Sequence, residues 1–219
     1  MVYCLRPLEG EPLIVLVKQP LQEYGVVRTE FQNLQKLSQI DPRFVIPTLA
    51  YFGDGNNELY VASYVKNARC VYNENGIWGN FNPIPRYHFE RFRAEIANAV
   101  VSSMIGILIN YYDTQNSRGV SKTQINGDDF ILSQDFNPED QNSVQRSIKL
   151  IAARGFLEVS FEEYLDLVRQ EFLIPSHYNY SVVKSGGLKI NHKSEVSLTR
   201  ETIERGIEIG LELRAEQTF

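Results

Sequence analysis

The sequence predicts an α+β protein in which a small antiparallel sheet with one helix is followed by a mainly helical second lobe. Short β-branched runs separated by turn residues dominate residues 1–66. Apolar residues at helical spacing dominate residues 87–219, and an irregular stretch at 67–86 contains two prolines. We therefore divide the 219 residues into a sheet-plus-helix lobe, a linker and a mainly helical lobe with these boundaries.

Two hairpins and one helix are expected in the first lobe. Residues 2–5 and 13–18 are apolar and flank a turn rich in Pro and Gly, which predicts a hairpin. Residues 44–52 and 58–65 flank a Gly- and Asn-rich turn and predict a second hairpin. Between them, a helix is indicated by apolar residues three or four apart, and Pro42 closes it. These apolar positions are Val27, Phe31, Leu34 and Leu37.

The second lobe contains the strongest periodic pattern in the chain. Apolar residues recur every three or four positions over residues 89–112 and predict a long, buried helix. Further on, residues 130–132 and 148–151 are apolar and flank an acidic, Asn-rich stretch at 133–143. We expect two short strands on either side of a loop.

Two more helices are expected towards the C-terminus. Ser160 and Glu163 have the spacing of a capping box, which begins a helix that ends before Pro175. The tail suits either a strand or a helix, and we favour a helix because three glutamates at intervals of four would share one stripe. The apolar face of this tail would either close the second lobe or pair with another copy of the chain.

Charge and cysteine content restrict the class of protein. The 22 basic and 27 acidic side chains leave a net charge of −5, so neither nucleic acid nor an anionic membrane is an expected partner. Cys4 and Cys70 are too few for a disulfide framework, which favours the reducing cytoplasm. The first twenty residues carry charges, and the uncharged stretch 97–112 is too short and polar to span a bilayer. A soluble cytoplasmic protein is expected.

The second predicted strand of the first lobe ends in Val-Leu-Val-Lys, with the lysine at Lys18. This run resembles the Val-Ala-Ile-Lys strand of the protein-kinase-like fold that is shared with aminoglycoside phosphotransferases, in which the lysine holds nucleotide phosphates. Glu30 matches the helical glutamate that pairs with this lysine. Ser63, Tyr64 and Val65 resemble the hinge, where free backbone groups meet an adenine edge. The resemblance implies that these five residues form either a site for a cofactor such as ATP with Mg²⁺ or a vestige of one. Without it, the lysine is an exposed edge residue that discourages aggregation.

The second lobe departs from the pattern of that family. Ile125 falls where the family has its catalytic aspartate, and Phe130 replaces a metal-binding asparagine. Ala152 stands in place of the aspartate that binds Mg²⁺, and no glycine-rich loop precedes Lys18. The resemblance is thus to a shortened, degenerate pseudokinase with no catalytic or metal-binding residue. It implies a kinase-like binding or regulatory protein without phosphoryl transfer, whose partner is another protein.

Two alternatives stay open. In another register, the Asn-Gly-Asp that ends at Asp128 resembles the His-Gly-Asp of aminoglycoside phosphotransferases. Asp128 would then be the base, with Asp129 or Asp135 as a ligand of Mg²⁺, and the chain would be a minimal ATP-dependent phosphotransferase. The third interpretation is an unrelated α+β module for protein interaction. Whether the protein is an enzyme is therefore not decided by its sequence.

Overall fold

The α+β class is confirmed by the structure, a computed structural model. None of its described helices is both long enough and apolar enough to cross a membrane. The residues that the structure describes are 2–5, 13–18, 25–54, 57–65, 68–70, 89–121, 130–133, 136–137, 139–173 and 200–217.

The first part is a four-stranded antiparallel sheet with one helix, as predicted. Its elements are β1 (Val2–Leu5), β2 (Leu13–Lys18), α1 (Val26–Ile40), β3 (Thr48–Gly53) and β4 (Glu58–Ser63). The strands lie in the order β1-β2-β4-β3, so the two hairpins join through β2 and β4. Both predicted hairpins and the predicted helix are confirmed.

Helix α1 is fixed to the sheet at its first turn. Gly25 precedes the helix with a φ of +95°, a conformation that glycine adopts without steric cost. The amide of Gly25 donates a hydrogen bond of 2.9 Å to Oε2 of Glu58, the first residue of β4. The apolar stripe Val27, Leu34 and Leu37 is buried in the core of the protein. The same stripe that predicts the helix therefore determines which side of it faces inward.

The second part is built around two long helices. The elements are β5 (Ala68–Cys70), α2 (Phe89–Asn110), β6 (Arg118–Val120), β7 (Phe130–Ser133), α3 (Gln141–Ser147), β8 (Ile148–Leu150), β9 (Phe156–Glu158), α4 (Phe161–Leu173) and α5 (Arg200–Gln217). The strands form a three-stranded antiparallel sheet in the order β5-β7-β8 and a separate antiparallel pair, β6 with β9.

Four short elements differ from the sequence-based expectations. Strand β5 lies in the predicted linker and pairs with β7, whereas residues 71–88 lie outside the described part. Strands β6 and β9 and helix α3 were not expected. Strands β5, β6 and β9 have only three residues each, which is too few to show an alternation of apolar and polar residues. Their pairing partners are also distant in sequence. Helix α3 is capped at its N-terminus by the side chain of Asp140, which accepts a hydrogen bond from the Asn142 amide.

The predicted strand 44–52 is divided in the structure. Only Thr48–Gly53 joins the first sheet. Upstream, Val45 forms a parallel bridge with Leu150 of β8, supported by hydrogen bonds of 2.9 and 2.8 Å on either side. The backbone of residues 44–46 thus fastens the first sheet to the second one, and all three of these side chains are buried.

Both predicted C-terminal helices are confirmed. At the start of α4, the Ser160 amide donates to Oε2 of Glu163 at 2.9 Å, and the Glu163 amide donates to the serine hydroxyl at 3.3 Å. This reciprocal pair is the expected capping box. The tail forms helix α5, whose Ile203, Ile207, Ile209 and Leu213 are buried in the core, whereas Leu211 is exposed.

Helices α2 and α5 pack unusually closely because glycines lie at their contact. A Cβ atom built on Gly206 would lie 2.6 Å from Cβ of Ile105, and one on Gly210 would lie 2.4 Å from Cβ of Ile109. The second of these would also lie 2.8 Å from the carbonyl oxygen of Gly106 on α2. Since backbone atoms cannot move aside cheaply, α5 requires glycine at these positions to approach α2.

We predict that Gly210→Ala destabilises the protein by about 1–3 kcal/mol, because the added methyl group forces the two helices apart. At an open helical position, the same replacement of glycine by alanine would stabilise by about 0.4–1 kcal/mol. Urea unfolding of the variant, with the exposed Glu212→Ala as a control on the same helix, measures the difference. Equal unfolding midpoints for the two variants would contradict the close packing.

A buried carboxylate just after α1 connects the two parts of the protein. Asp41 is 3% exposed, and its carboxylate accepts hydrogen bonds from Arg43 Nη2 at 2.9 Å and from Asn110 Nδ2 at 3.0 Å. The Tyr111 hydroxyl donates to the Asp41 carbonyl at 2.6 Å. From α5, Gln217 donates to Oδ1 of Asn110 at 2.7 Å. The ends of α1, α2 and α5 therefore share one polar network.

We predict that the Asp41 network makes stability depend on pH in the acidic range. Burial would raise the pKa of Asp41, but hydrogen bonds from Arg43 and Asn110 hold it below its ordinary value. A lowered pKa in the folded state stabilises the protein above the unfolded pKa of about 4, and this stabilisation is lost as pH falls through the folded value.

Asp41→Asn should therefore cost about 1–3 kcal/mol at pH 7 and flatten the loss of stability below pH 4. Urea unfolding at a series of pH values measures both effects. The control is Asp166→Asn, in an exposed pair with Arg169, which should change stability by less than about 1 kcal/mol. An Asp41→Asn variant that parallels the wild type at every pH would rule out the assigned role.

Candidate functional site

The candidate site is built around Glu30, a carboxylate on the inner face of α1. Glu30 is only 2% exposed, and its Oε1 accepts a hydrogen bond of 2.9 Å from the hydroxyl of Tyr60 on β4. The tyrosine is itself 1% exposed. A charge at such a position is costly unless hydrogen bonds and opposite charge compensate for the lost water. The position of Glu30 between helix and sheet therefore requires partners.

The chain that follows β8 supplies further contacts to this carboxylate and to its helix. Nε of Arg154 lies 4.0 Å from Oε2 of Glu30. On the next turn of α1, Asn33 donates a hydrogen bond of 2.8 Å to the carbonyl of Ala153. The Tyr60 hydroxyl also lies 3.2 Å from the carbonyl oxygen of Ile151. The segment 151–154 is thus held directly against α1 and β4.

Strand β2 brings Lys18 to the same region of the sheet. In the antiparallel register, Lys18 lies opposite Glu58, and Leu16 lies opposite Tyr60. Glu58 is buried and accepts hydrogen bonds from the Gly25 amide and from the hydroxyl of Tyr51, the latter at 2.6 Å. The side chain of Lys18 lies outside the described part, so its pairing with Glu30 stays a prediction. Glu58 is a second carboxylate that the sequence analysis did not identify.

The predicted hinge follows β4 and is only partly available to a ligand. The Ser63 amide donates to the carbonyl of Pro47 at 2.9 Å, and the Val65 carbonyl accepts from the Ala68 amide at 3.3 Å. Tyr64 lies between them and is 37% exposed. A ligand that used the first two backbone groups would compete with bonds inside the chain, so Tyr64 is the accessible part of this segment.

The residues of the alternative catalytic interpretation, Asp128, Asp129 and Asp135, lie outside the described part, as does Ile125. Among the described residues, no group of three or more His, Cys, Asp or Glu side chains is arranged to hold a metal ion. Two further positions, which the resemblance aligns with metal-binding residues of kinases, are described. Phe130 is fully buried in the core and Ala152 is 7% exposed, so both serve packing.

A concave surface, a cleft of about 500 Å³, lies where α1, α2 and α5 end. Its two arginines have partners: Nη1 of Arg214 donates to the carbonyls of Ile109 and Tyr112, and Arg118 forms an ion pair with Asp113 at 3.1 Å. Arginine at a helix C-terminus offsets the partial negative charge of the carbonyl groups there. Both arginines thus bind groups at or just after the C-terminal end of α2. We therefore place the candidate site at Glu30.

Comparisons with known proteins do not add a function. A search against protein-family models and a search of curated proteins each found no match for this chain.

The residues that contact Glu30 were in part missed by the sequence analysis, since Tyr60 has the pattern of an ordinary strand residue. Arg154 directly follows an apolar run and two alanines, and a positive charge at that place is the sequence feature by which it could have been identified.

We predict that Tyr60→Phe destabilises the protein by about 1–3 kcal/mol, because Glu30 loses a hydrogen bond at a buried position. The matched control is Tyr64→Phe, which removes a hydroxyl from an exposed tyrosine and should cost less than about 0.5 kcal/mol. Thermal and urea unfolding measure both variants. If the two variants unfold alike, Glu30 does not depend on the tyrosine.

Proposed function

We propose that this chain is a kinase-like binding or regulatory protein that binds nucleotide beside Lys18 and Glu30 and does not transfer phosphoryl groups. One observation carries the proposal: the segment 151–154 packs against Glu30 and contains an arginine but no carboxylate. Phosphoryl transfer by a protein kinase needs both a lysine–glutamate pair and a metal-binding aspartate. Lys18 and Glu30 are the candidates for the first requirement, and the described segment 151–154 contains no residue for the second.

Three features of the fold support the kinase-like part of the proposal. The strand that carries Lys18 is adjacent to β4, whose Tyr60 contacts Glu30. The helix that carries Glu30 lies in sequence between β2 and β3 of the same sheet. The segment after β8 reaches this helix through the bond from Asn33 to Ala153. Strand β4, helix α1 and the segment after β8 therefore meet at one carboxylate.

The expected binding partner besides nucleotide is another protein. Leu49 and Phe52 of β3 are 52% and 55% exposed, and β3 forms one edge of the four-stranded sheet. Exposed apolar side chains on an edge strand suit pairing with another chain. We therefore expect a regulatory protein that binds nucleotide beside Lys18 and Glu30 and binds another protein at the edge strand β3. The low cysteine content agrees with a cytoplasmic location.

We predict that ATP with Mg²⁺ raises the unfolding temperature by about 3–6 °C at ten times its Kd, because a ligand that binds the folded state stabilises it. We also expect no more phosphate release from the wild type than from Asp128→Ala. Differential scanning fluorimetry and a phosphate-release assay provide the measurements. Turnover that disappears in Asp128→Ala would favour the minimal phosphotransferase, whereas no stabilisation at millimolar ATP would favour the unrelated interaction module.

A further inference from the structure

We infer that the cleft where α1, α2 and α5 end binds a small organic anion through Lys36 and Arg118. This site is separate from the one proposed at Glu30, and the inference does not depend on the proposed function. The cleft has a volume of about 500 Å³, which is within the range of small-molecule sites in proteins.

Arg118 is held in place with part of its guanidinium group unused. Its Nε donates to Oδ2 of Asp113 at 3.1 Å, and its Nη2 lies 3.1 Å from the same oxygen. The guanidinium carbon also lies 5.1 Å from the centre of the Phe156 ring. Within the described part of the chain, no acceptor contacts Nη1, and the side chain is 28% exposed. A fixed guanidinium group with free N–H donors is suited to bind a carboxylate or phosphate oxygen.

The second cation of the cleft, Lys36, lies on the exposed side of α1. Among the residues that the structure describes, neither a carboxylate nor another acceptor contacts its ammonium group. The lysine stem is flexible and the ammonium group has three donors. It can therefore bind a ligand in the cleft without breaking a bond of the folded chain.

The charges that line the cleft favour an anion, although the chain as a whole has a net charge of −5. The described lining contains three basic side chains and a single carboxylate, that of Asp113. Oδ1 of this carboxylate accepts from the amides of Gln115 and Asn116 at 3.0 and 3.1 Å. Oδ2 accepts from Nδ2 of Asn116 at 2.7 Å and from Arg118. Because both oxygens are bound by their own loop, the carboxylate repels a second anion less.

Two other negative groups near the cleft are also compensated. Arg214 donates to the carbonyl of Ile109 at 3.3 Å, which offsets the partial negative charge at the end of α2. Asp41, which accepts a hydrogen bond from the lining residue Asn110, forms an ion pair with Arg43 at 2.9 Å. The positive charges of Lys36 and Arg118 are therefore not cancelled by these groups.

The cleft also has apolar surface, which selects an organic anion over an inorganic one. Ile40, Tyr112 and Phe156 line it, and the side chains of Ile40 and Phe156 are only partly buried. A ligand gains affinity by covering such surface. We therefore expect a carboxylate or a phosphate monoester that is attached to an apolar body.

Three probes with the same naphthalene ring test the inference on the full chain: 2-naphthoate, 2-naphthyl phosphate and the uncharged 2-naphthamide. We expect the better anion to bind with a Kd below about 1 mM, and about tenfold more tightly than the amide, because only an anion pairs with the two cations. Ligand-observed NMR titration measures all three, and the tighter anion identifies the acidic group. Absence of anion binding at millimolar concentration, or equal binding of the amide, would overturn the inference.

Substitution of the lysine locates the bound anion. Lys36→Gln should weaken binding of the tighter anion by about fivefold, since one ion pair is lost. The matched control is Arg28→Gln, which removes the same charge from another exposed position of α1 that does not line the cleft. The control should leave the affinity within about twofold of the wild type, because salt screens a distant charge. An equal effect of the two substitutions would place the anion outside the cleft and overturn the inference.

A conservative substitution tests the arginine. Arg118→Lys keeps the positive charge, but a lysine cannot contact Asp113 and present fixed planar donors to a ligand at the same time. We expect it to weaken binding of the anion and to leave binding of the amide unchanged, with circular dichroism as the check on folding. Unchanged anion affinity in Arg118→Lys would contradict the assigned contact with the guanidinium group.

Discussion

The structure depends on a carboxylate that is buried between a helix and a sheet. Glu30 points inward from α1, where an unpaired charge would oppose folding, and it is stabilised by the Tyr60 hydroxyl and the nearby guanidinium of Arg154. These two partners belong to β4 and to the chain after β8. Stabilising one charge therefore fixes the position of three elements that are far apart in sequence.

A second buried carboxylate performs a similar role at the opposite end of α1. Asp41 accepts hydrogen bonds from Arg43 and from α2, and Gln217 of α5 joins the same network. Both ends of α1 are thereby attached, one to the first sheet through Gly25 and the other to the long helices. Helix α1 is therefore held at both of its ends.

Much of the fold was predictable because its long elements carry periodic patterns. Helices α1 and α2 show apolar stripes, and α4 begins with a capping box, which are local properties of the sequence. The short strands β6 and β9 form through pairing with each other across 36 or more residues, and no local pattern encodes that. In the site, Glu30 was identified through a resemblance, but Tyr60, Glu58 and Arg154 became evident only from the tertiary contacts. The predicted pairing of Lys18 with Glu30 stays a prediction.

The contact between Glu30 and Arg154 holds the second part of the protein against α1. A double-mutant cycle with Glu30→Gln, Arg154→Gln and the combined variant, followed by urea unfolding, tests it most directly. We expect a coupling energy of about 1 kcal/mol or more, since the contact is partly buried. Additive effects within about 0.3 kcal/mol would show that the two residues act independently and would contradict the account.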